Sequence, residues 1–246
     1  MYLVVTRSFP PELGGMQNLM WGLTNSIAKY NLTKVYADYH EGHKNIDDTV
    51  SYSIERIKGA KFYKELNQVL KTNKVKYFQL RLKKISSQNL LKISKKIKKI
   101  VKKYNVKFII NDKPLVAKLV GADGCHIGQK DMALIKSRKI LGEKKIIGVT
   151  CHNSKKLALK AKKHGANYVA FGSFFKSSTK KTAFKANLEI LRWAQKKINM
   201  PTVAIGGINS SNYKKILLHG ASFVACSNCV WNNKKLNPVS AINKFK

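Results

Sequence analysis

From about residue 75 onward, short apolar runs and amphipathic stretches alternate strictly, and that order restricts the fold more than any other feature of the chain. The runs predict strands at Val75–Leu80, Lys107–Ile110, Gly124–Ile127, Lys145–Val149, Tyr168–Phe171, Thr202–Ile205 and Phe223–Cys226. They are short, apolar and partly β-branched, as strands covered on both faces tend to be. Helical spacing of apolar residues predicts helices at Ser87–Lys103, Pro114–Val120, Asp131–Leu141, Ser154–His164, Lys185–Ile198 and Ser210–His219. Pro114 suits a first helical turn, and Gly121, Gly142, Gly165 and Gly220 stand where helices should stop. Strand and helix in turn build parallel βαβ units. Seven strands roughly 20–30 residues apart, without a G-x-G-x-x-G, fit a (β/α)8 TIM barrel better than an open sheet.

The eighth strand must come from the first 60 residues or be absent. Those residues read differently: an apolar run "YLVVT", a Pro/Gly loop "PPELGGMQ", a helix from about Asn18 to Lys29 and a strand "KVYADY". This is the opening of an open α/β domain that stops after two strands. The charge confirms a boundary near Gly59. Residues 1–60 balance six basic against six acidic residues, so the rest of the chain carries the whole net charge of +36. The expected organisation is an N-terminal segment, 1–60, fused to a barrel, 61–246, whose first strand is atypical or replaced by that segment. Tyr2–Thr6 is the continuous apolar type that barrels prefer and is the expected filler, with Val50–Ile57 as the alternative.

Several function classes are excluded at this level. No run approaches the ~18 apolar residues of a membrane helix, and the N-terminus has no basic region followed by a long apolar one, so a cytoplasmic location is expected. Cys125, Cys151, Cys226 and Cys229 are too few for a disulfide scaffold and read as buried free thiols. The densest basic run, "LLKISKKIKKIVKKY", places Ile93, Ile97, Ile100 and Tyr104 on one helix face, so it reads as a solvated helix docked by its isoleucines. Lysine is scattered over every helix, with little aromatic interleaving in the basic runs. No specific nucleic-acid partner is therefore expected, although a basic nucleic-acid-binding protein without turnover remains an alternative.

In a parallel barrel the working residues stand at the C-terminal ends of the strands. In "YFQLRLKK", Tyr77 to Lys84, Phe78, Leu80 and Leu82 alternate with Gln79, Arg81 and Lys83, which asks why a core strand would line up an amide and two cations. Asp112 and Asp131 follow adjacent strands, and Arg81, Lys83 and Lys180 share that rim. Two carboxylates amid cations suggest Mg2+ bridging to a phosphorylated ligand, against the simpler reading that each Asp caps a helix. "SSTKK", Ser177 to Lys181, supplies hydroxyls and an ammonium for an anion. Gly206-Gly207 permits close backbone approach, and Ser227 and Asn228 before a helix suit a second phosphate. His126 and His152 read as satisfied polar residues near the rim.

Seven of these motifs, in register over about residues 62–232, resemble the thiamine-phosphate synthase family: "QLRLK", "ND", "GADGCHIGQKD", "GVTCHN", "YVAFGSFFKSSTKK", "VAIGGI" and "GASFVACSNCVW". The resemblance implies an enzyme that joins a pyrimidine-methyl diphosphate to a thiazole phosphate and releases diphosphate. It implies that Gln79, Arg81, Lys83, Asn111 and Lys180 hold the pyrimidine diphosphate, that Thr150 lies against the pyrimidine, and that Asp112 and Asp131 hold Mg2+. It further implies that Ser177, Ser178, Thr179, Gly207, Ser227 and Asn228 hold the thiazole phosphate. The pattern departs from the family at Leu82, at Lys176-Ser177, at Thr150 and at Ser227-Asn228. Thiazole tautomerases share the fold and are the runner-up. Residues 1–60, through "TRSFPPELGGMQNLMWGL", resemble the start of a two-domain glycosyltransferase whose sugar-nucleotide domain is missing, so no sugar transfer is expected.

Overall fold

A computed structural model describes residues 2–6, 33–38, 53–57, 60–82, 85–176 and 184–245. The chain divides into two compact units, Met1–Lys64 and Glu65–Lys246. In the first, β1 (Tyr2–Thr6), β2 (Thr33–Asp38) and β3 (Ser53–Ile57) form a parallel sheet in the order β1-β2-β3. That is the strand order of one half of a doubly wound sheet.

This pairing corrects the assignment of the eighth barrel strand. Tyr2–Thr6 runs in register with β2 from Tyr2 opposite Thr33 to Thr6 opposite Ala37. The alternative, Val50–Ile57, contributes β3, which pairs with the other side of β2. Among its described residues the unit therefore has three strands where two were expected, and the expected helix from about Asn18 to Lys29 lies outside those residues. A continuous apolar run suits any parallel sheet covered on both faces, so the run could not reveal which sheet would take it. The backbone partner nearest in sequence took both.

Helix α1 (Ala60–Lys71) leads into the second unit, where all strands are again parallel. In chain order these are β4 (Tyr77–Leu80), α2 (Ser87–Lys103), β5 (Lys107–Asn111), α3 (Pro114–Val120), β6 (Gly124–Ile127), α4 (Leu134–Leu141), β7 (Ile146–His152), α5 (Lys155–Lys163), β8 (Tyr168–Phe171), α6 (Glu189–Lys197), β9 (Thr202–Ile205), α7 (Tyr213–Leu218), β10 (Phe223–Ala225), α8 (Asn228–Trp231) and α9 (Pro238–Asn243). The seven strands lie side by side from β4 to β10 in sequence order. Every expected strand and helix of this region is present, with ends shifted by a few residues. Among the described residues no helix is long and apolar enough to cross a membrane.

Registry separates the two faces of this sheet. Phe108, Ile110, Cys125, Ile127, Ile147, Val149, Val169 and Phe171 are buried on one face. Helix residues such as Leu66, Ile97 and Leu191 are buried with them in the same core. The opposite face carries Gln79, Asn111, His126, Gly148, Thr150 and Tyr168, small or polar residues for the most part. The sheet curls around this polar face. Its edge strands share no ladder, yet the Tyr77 ring of β4 meets the Phe223 ring of β10 edge-on at 5.2 Å, and Phe78 meets Trp231 at 6.4 Å. Tyr77 and Phe223 remain 44% and 37% exposed, because no strand lies between them.

The basic helix α2 is docked, but along a stripe different from the expected one. Its buried residues are Leu90, Ser94, Ile97 and Val101, while Ile93 and Ile100 are only half-buried. The true stripe includes a serine, which a purely apolar template passes over. Ser86 caps α2 by accepting from the Asn89 N–H at 3.2 Å, and Ser154 caps α5 from the Leu157 N–H at 3.2 Å.

Arg138 of α4 was not singled out by the sequence, yet it ties two loops together, the α4–β7 and α5–β8 connections. Its Nη1 donates to the carbonyls of Gly142 at 2.9 Å and Lys145 at 2.6 Å. Its Nη2 donates to the Gly165 carbonyl at 2.8 Å and to Asn167 Oδ1 at 2.7 Å. Arg138→Ala would leave several carbonyls short of a charged donor. We expect it to lower unfolding stability by about 2–4 kcal/mol in a urea titration, with Arg138→Lys recovering only part, since an ammonium cannot span all four acceptors.

Candidate active site

The polar face of the curled sheet opens at the C-terminal ends of its strands. Gln79 of β4 points to this face, and its Nε2 donates to Asn111 Oδ1 at 2.6 Å. Asn111 is the last residue of β5 and is buried. Arg81 follows two residues after Gln79 and is exposed at the strand mouth. The alternation noted in the sequence thus sets Gln79 on the inner face, with Arg81 beyond it at the rim.

Asp112 directly follows β5 and has a left-handed backbone, φ 63°. Its N–H donates to the His126 carbonyl at 2.8 Å, extending the ladder from β5 to β6. Asp131 lies beyond β6, where its Oδ2 accepts from the Gly128 N–H at 2.7 Å. Neither carboxylate caps a helix. The cap position of α3 is Lys113 and that of α4 is Ala133, both without a side-chain bond, and α4 begins at Leu134, three residues later than expected. The capping explanation for the two acids is therefore removed. Both reach the same region electrostatically: burial pushes the Cys125 thiol up to about 12, and the charges of Asp112 and Asp131 add to that rise.

His126 sits between two hydroxyls inside the sheet. Its Nδ1 lies 2.8 Å from the Tyr168 hydroxyl and its Nε2 lies 2.8 Å from Thr150 Oγ1. Burial lowers its pKa to about 4; Asp131 opposes that shift and Arg81 adds to it. The Tyr168 ring reaches His126 by lying across Gly148, where a Cβ would stand 1.9 Å from the ring. Gln129 Nε2 donates to the Thr150 carbonyl at 2.5 Å, and β7 shifts register between Thr150 and His152. Such a bulge re-aims side chains beside a site. His152 stacks on Phe184 with ring centroids 4.0 Å apart.

After β9, Gly206 and Gly207 turn with φ 93° and 67°. The strap over them is held by Phe174 N–H to the Ile205 carbonyl at 3.2 Å and Phe175 N–H to the Gly206 carbonyl at 3.1 Å. A Cβ on Gly206 would lie 2.1 Å from Ser173 Oγ, so the turn requires glycine. Ser227 precedes α8 and is exposed; Asn228 opens α8, and its Oδ1 accepts from Asn232 Nδ2 at 2.8 Å. Of the thiols, Cys125 and Cys151 are buried as expected, whereas Cys226 and Cys229 are only half-buried. Lys83, Ser177, Ser178, Thr179 and Lys180 lie outside the described residues.

Gln79, Asn111, Asp112, His126 and Thr150 are thus linked by hydrogen bonds or adjacency across four neighbouring strands. Two carboxylates supply hard oxygen donors, and among the described residues no third His, Cys, Asp or Glu joins them as a ready-made metal cage. That donor set fits Mg2+, which keeps several waters and takes one or two carboxylates plus substrate phosphates. His126 and Tyr168 form a hydrogen-bonded pair that the sequence left unassigned. Their one signal was Gly148 in "GVTCHN", a glycine inside a strand, which marks a close approach.

A wholly parallel, curled sheet with its polar groups at the C-terminal strand ends defines a TIM-barrel-like α/β protein. The sequence matches the family model described as "Thiamine monophosphate synthase" over residues 50–230, and the chain belongs to that family. It is 55% identical over 194 residues to the thiamine-phosphate synthase of Pelagibacter ubique (strain HTCC1062), covering 79% of this chain and 93% of that protein. It is 39% identical over 184 residues to the thiamine-phosphate synthase of Rhodospirillum centenum (strain ATCC 51521 / SW), covering 75% and 88%. A thiamine phosphate pyrophosphorylase structure from Pyrococcus furiosus superposes with a TM-score of 0.66 at 28% identity, over 74% of this chain and 86% of that one.

Proposed function

We infer that this chain is a thiamine-phosphate synthase: it couples a pyrimidine-methyl diphosphate to a thiazole phosphate and releases diphosphate. The observation that carries this reading is the high identity to relatives of that name over nearly their whole length, together with the polar rim formed by Gln79, Asn111, His126 and Thr150. In the reaction the bond between the pyrimidine methylene and the diphosphate oxygen breaks, and a bond from the thiazole nitrogen to that methylene forms. The electron pair of the broken bond leaves with diphosphate.

Each residue then has a definite task. Arg81, Lys83 and Lys180 neutralise the diphosphate as charge collects on it, which is electrostatic catalysis of the departing group. Asn111 and Gln79 form one hydrogen-bonded unit that orients the substrate. Thr150 lies against the pyrimidine. Ser177, Ser178, Thr179, Gly207, Ser227 and Asn228 hold the thiazole phosphate near the electrophile. Asp112 and Asp131 would hold Mg2+, which would supply Lewis-acid charge to the diphosphate. No side chain is needed as a nucleophile, so positioning and charge carry the step.

The test is direct. The protein mixed with pyrimidine-methyl diphosphate, thiazole phosphate and Mg2+ should form thiamine phosphate and diphosphate, followed by chromatography. Chelation of the metal should stop turnover and added Mg2+ should restore it. No product under these conditions, with conversion of a thiazole tautomer instead, would overturn the reading. We further propose that the enzyme works in the cytoplasm. The division into a glycosyltransferase-like segment at 1–60 and a synthase barrel at 61–246 is also a proposal. The three-stranded parallel sheet of the first unit supports it, and the family match that begins at residue 50 bears on where the boundary lies. Incubation with nucleotide sugars should give no sugar transfer.

A further inference from the structure

Two side chains behind Thr150, the buried His126 and the half-buried Tyr168, are not used by the reaction as described. Tyr168, His126 and Thr150 form a chain in which the two outer hydroxyls each meet one nitrogen of the same imidazole at 2.8 Å. A neutral imidazole has one N–H donor and one bare acceptor nitrogen, so the chain can point in either of two directions. Counting protons decides which.

Among the described residues His126 Nδ1 is the hydrogen-bond partner given to the Tyr168 hydroxyl. Burial raises the pKa of that phenol, so it keeps its proton. If Nδ1–H donated to Tyr168, the phenolic proton would be left in a desolvated place without an acceptor, which is the expensive arrangement. The phenol therefore donates to Nδ1. The imidazole proton then stands on Nε2, which donates to Thr150 Oγ1. The Thr150 hydroxyl, having accepted there, keeps its own proton for something else. Its backbone carbonyl is already held by Gln129.

We infer that Tyr168, acting through His126, sets the Thr150 hydroxyl as a donor toward an acceptor on the bound substrate, an aromatic ring nitrogen of the pyrimidine. The inference rests on the proposed function for the identity of that acceptor, while the direction of the chain rests on the protein alone. Tyr168 and His126 are positioning residues, and Thr150 is the group that touches the ligand. Gly148 belongs to the same device, because only a residue without a Cβ lets the Tyr168 ring cross β7. The opposite direction would offer the ligand an acceptor and would favour a donor such as an exocyclic amine.

The direction can be read without turnover. In the full chain labelled with 15N-histidine, the His126 resonance, identified by its loss in His126→Gln, should show the Nε2–H tautomer with a bare, hydrogen-bonded Nδ1. An Nδ1–H tautomer would overturn the inference. In turnover, Tyr168→Phe should raise KM for the pyrimidine diphosphate about tenfold, the equivalent of one hydrogen bond, and leave KM for thiazole phosphate within about twofold. A substrate analogue with the accepting ring nitrogen replaced by C–H should lose affinity for wild type and lose nothing further with Tyr168→Phe. Unchanged KM values, or equal losses for both substrates, would overturn the inference. If Tyr168→Phe does not fold, the wild-type tautomer and the analogue's affinity decide the matter. Failure of the wild type to make thiamine phosphate would sink the functional reading and with it the pyrimidine as acceptor. The tautomer would still decide the direction of the chain.

Discussion

Asp112→Asn and Asp131→Asn should each reduce turnover by about 10²–10³-fold, the range found when one electrostatic contact to a charged transition state is removed. Both should leave thermal stability close to wild type. The second half of this expectation comes from the geometry. Neither carboxylate caps a helix, since Lys113 and Ala133 hold the cap positions. Asp112 has a left-handed backbone, and Asn tolerates that conformation as well as Asp does. Asp131 accepts one N–H, from Gly128, and an amide oxygen can accept the same bond. Removing either charge near the Cys125 thiol should also ease its ionisation slightly. Rates measured across a Mg2+ titration, beside melting curves, check both halves. Wild-type rates at limiting Mg2+ would remove the metal assignment, and a large loss of stability would return the acids to a structural role.

A large stability effect from the smallest change should come from Gly148→Ala. A Cβ there would stand 1.9 Å from Tyr168 Cζ and 2.3 Å from both Cε atoms. The ring lies over a buried strand that pairs on both sides, with β6 and β8. It can move only by giving up its bond to His126. Overpacking of this kind costs about 1–3 kcal/mol, and breaking a buried hydrogen bond adds about 1 kcal/mol. We expect a total near 3 kcal/mol in urea unfolding and a rise in KM for the pyrimidine substrate at least as large as that of Tyr168→Phe. The paired variant Gly148→Ala with Tyr168→Ala should show a smaller loss than the sum of the two single changes, because the clash is gone once the ring is removed. Strict additivity would mean the ring is not what the methyl meets.

Much of the rim was legible in the sequence because it follows from strand ends. Once Lys107–Ile110 and Gly124–Ile127 are strands, Asp112 and His126 must stand where they do. Period-two alternation likewise placed Gln79 and Arg81 on one face without any coordinates. The Gln79–Asn111 bond and the Tyr168–His126–Thr150 chain were not legible. They join residues 32, 42 and 24 positions apart, and no local pattern encodes which side chains of a face will touch. Arg138 escaped for a similar reason. Its acceptors are mostly backbone carbonyls, which carry no mark in a sequence.

By itself, then, the sequence determined the parallel βαβ order of the second unit, the faces of its strands and the kinds of group at their ends, because all three depend on local periodicity and connection length. Only the tertiary structure decided where the spare strands went. Tyr2–Thr6 is a continuous apolar run and Val50–Ile57 an alternating one; both are extended segments that a parallel sheet can accept, and the choice between sheets is a competition for backbone partners that only the folded chain resolves. Both strands pair with Thr33–Asp38. The seven-stranded sheet meets its own edges through Tyr77 and Phe223 rather than through an eighth ladder. The tertiary structure also stripped Asp112 and Asp131 of any capping duty, because a helix start is set by backbone geometry and packing, and here α4 begins three residues beyond the aspartate that could have capped it.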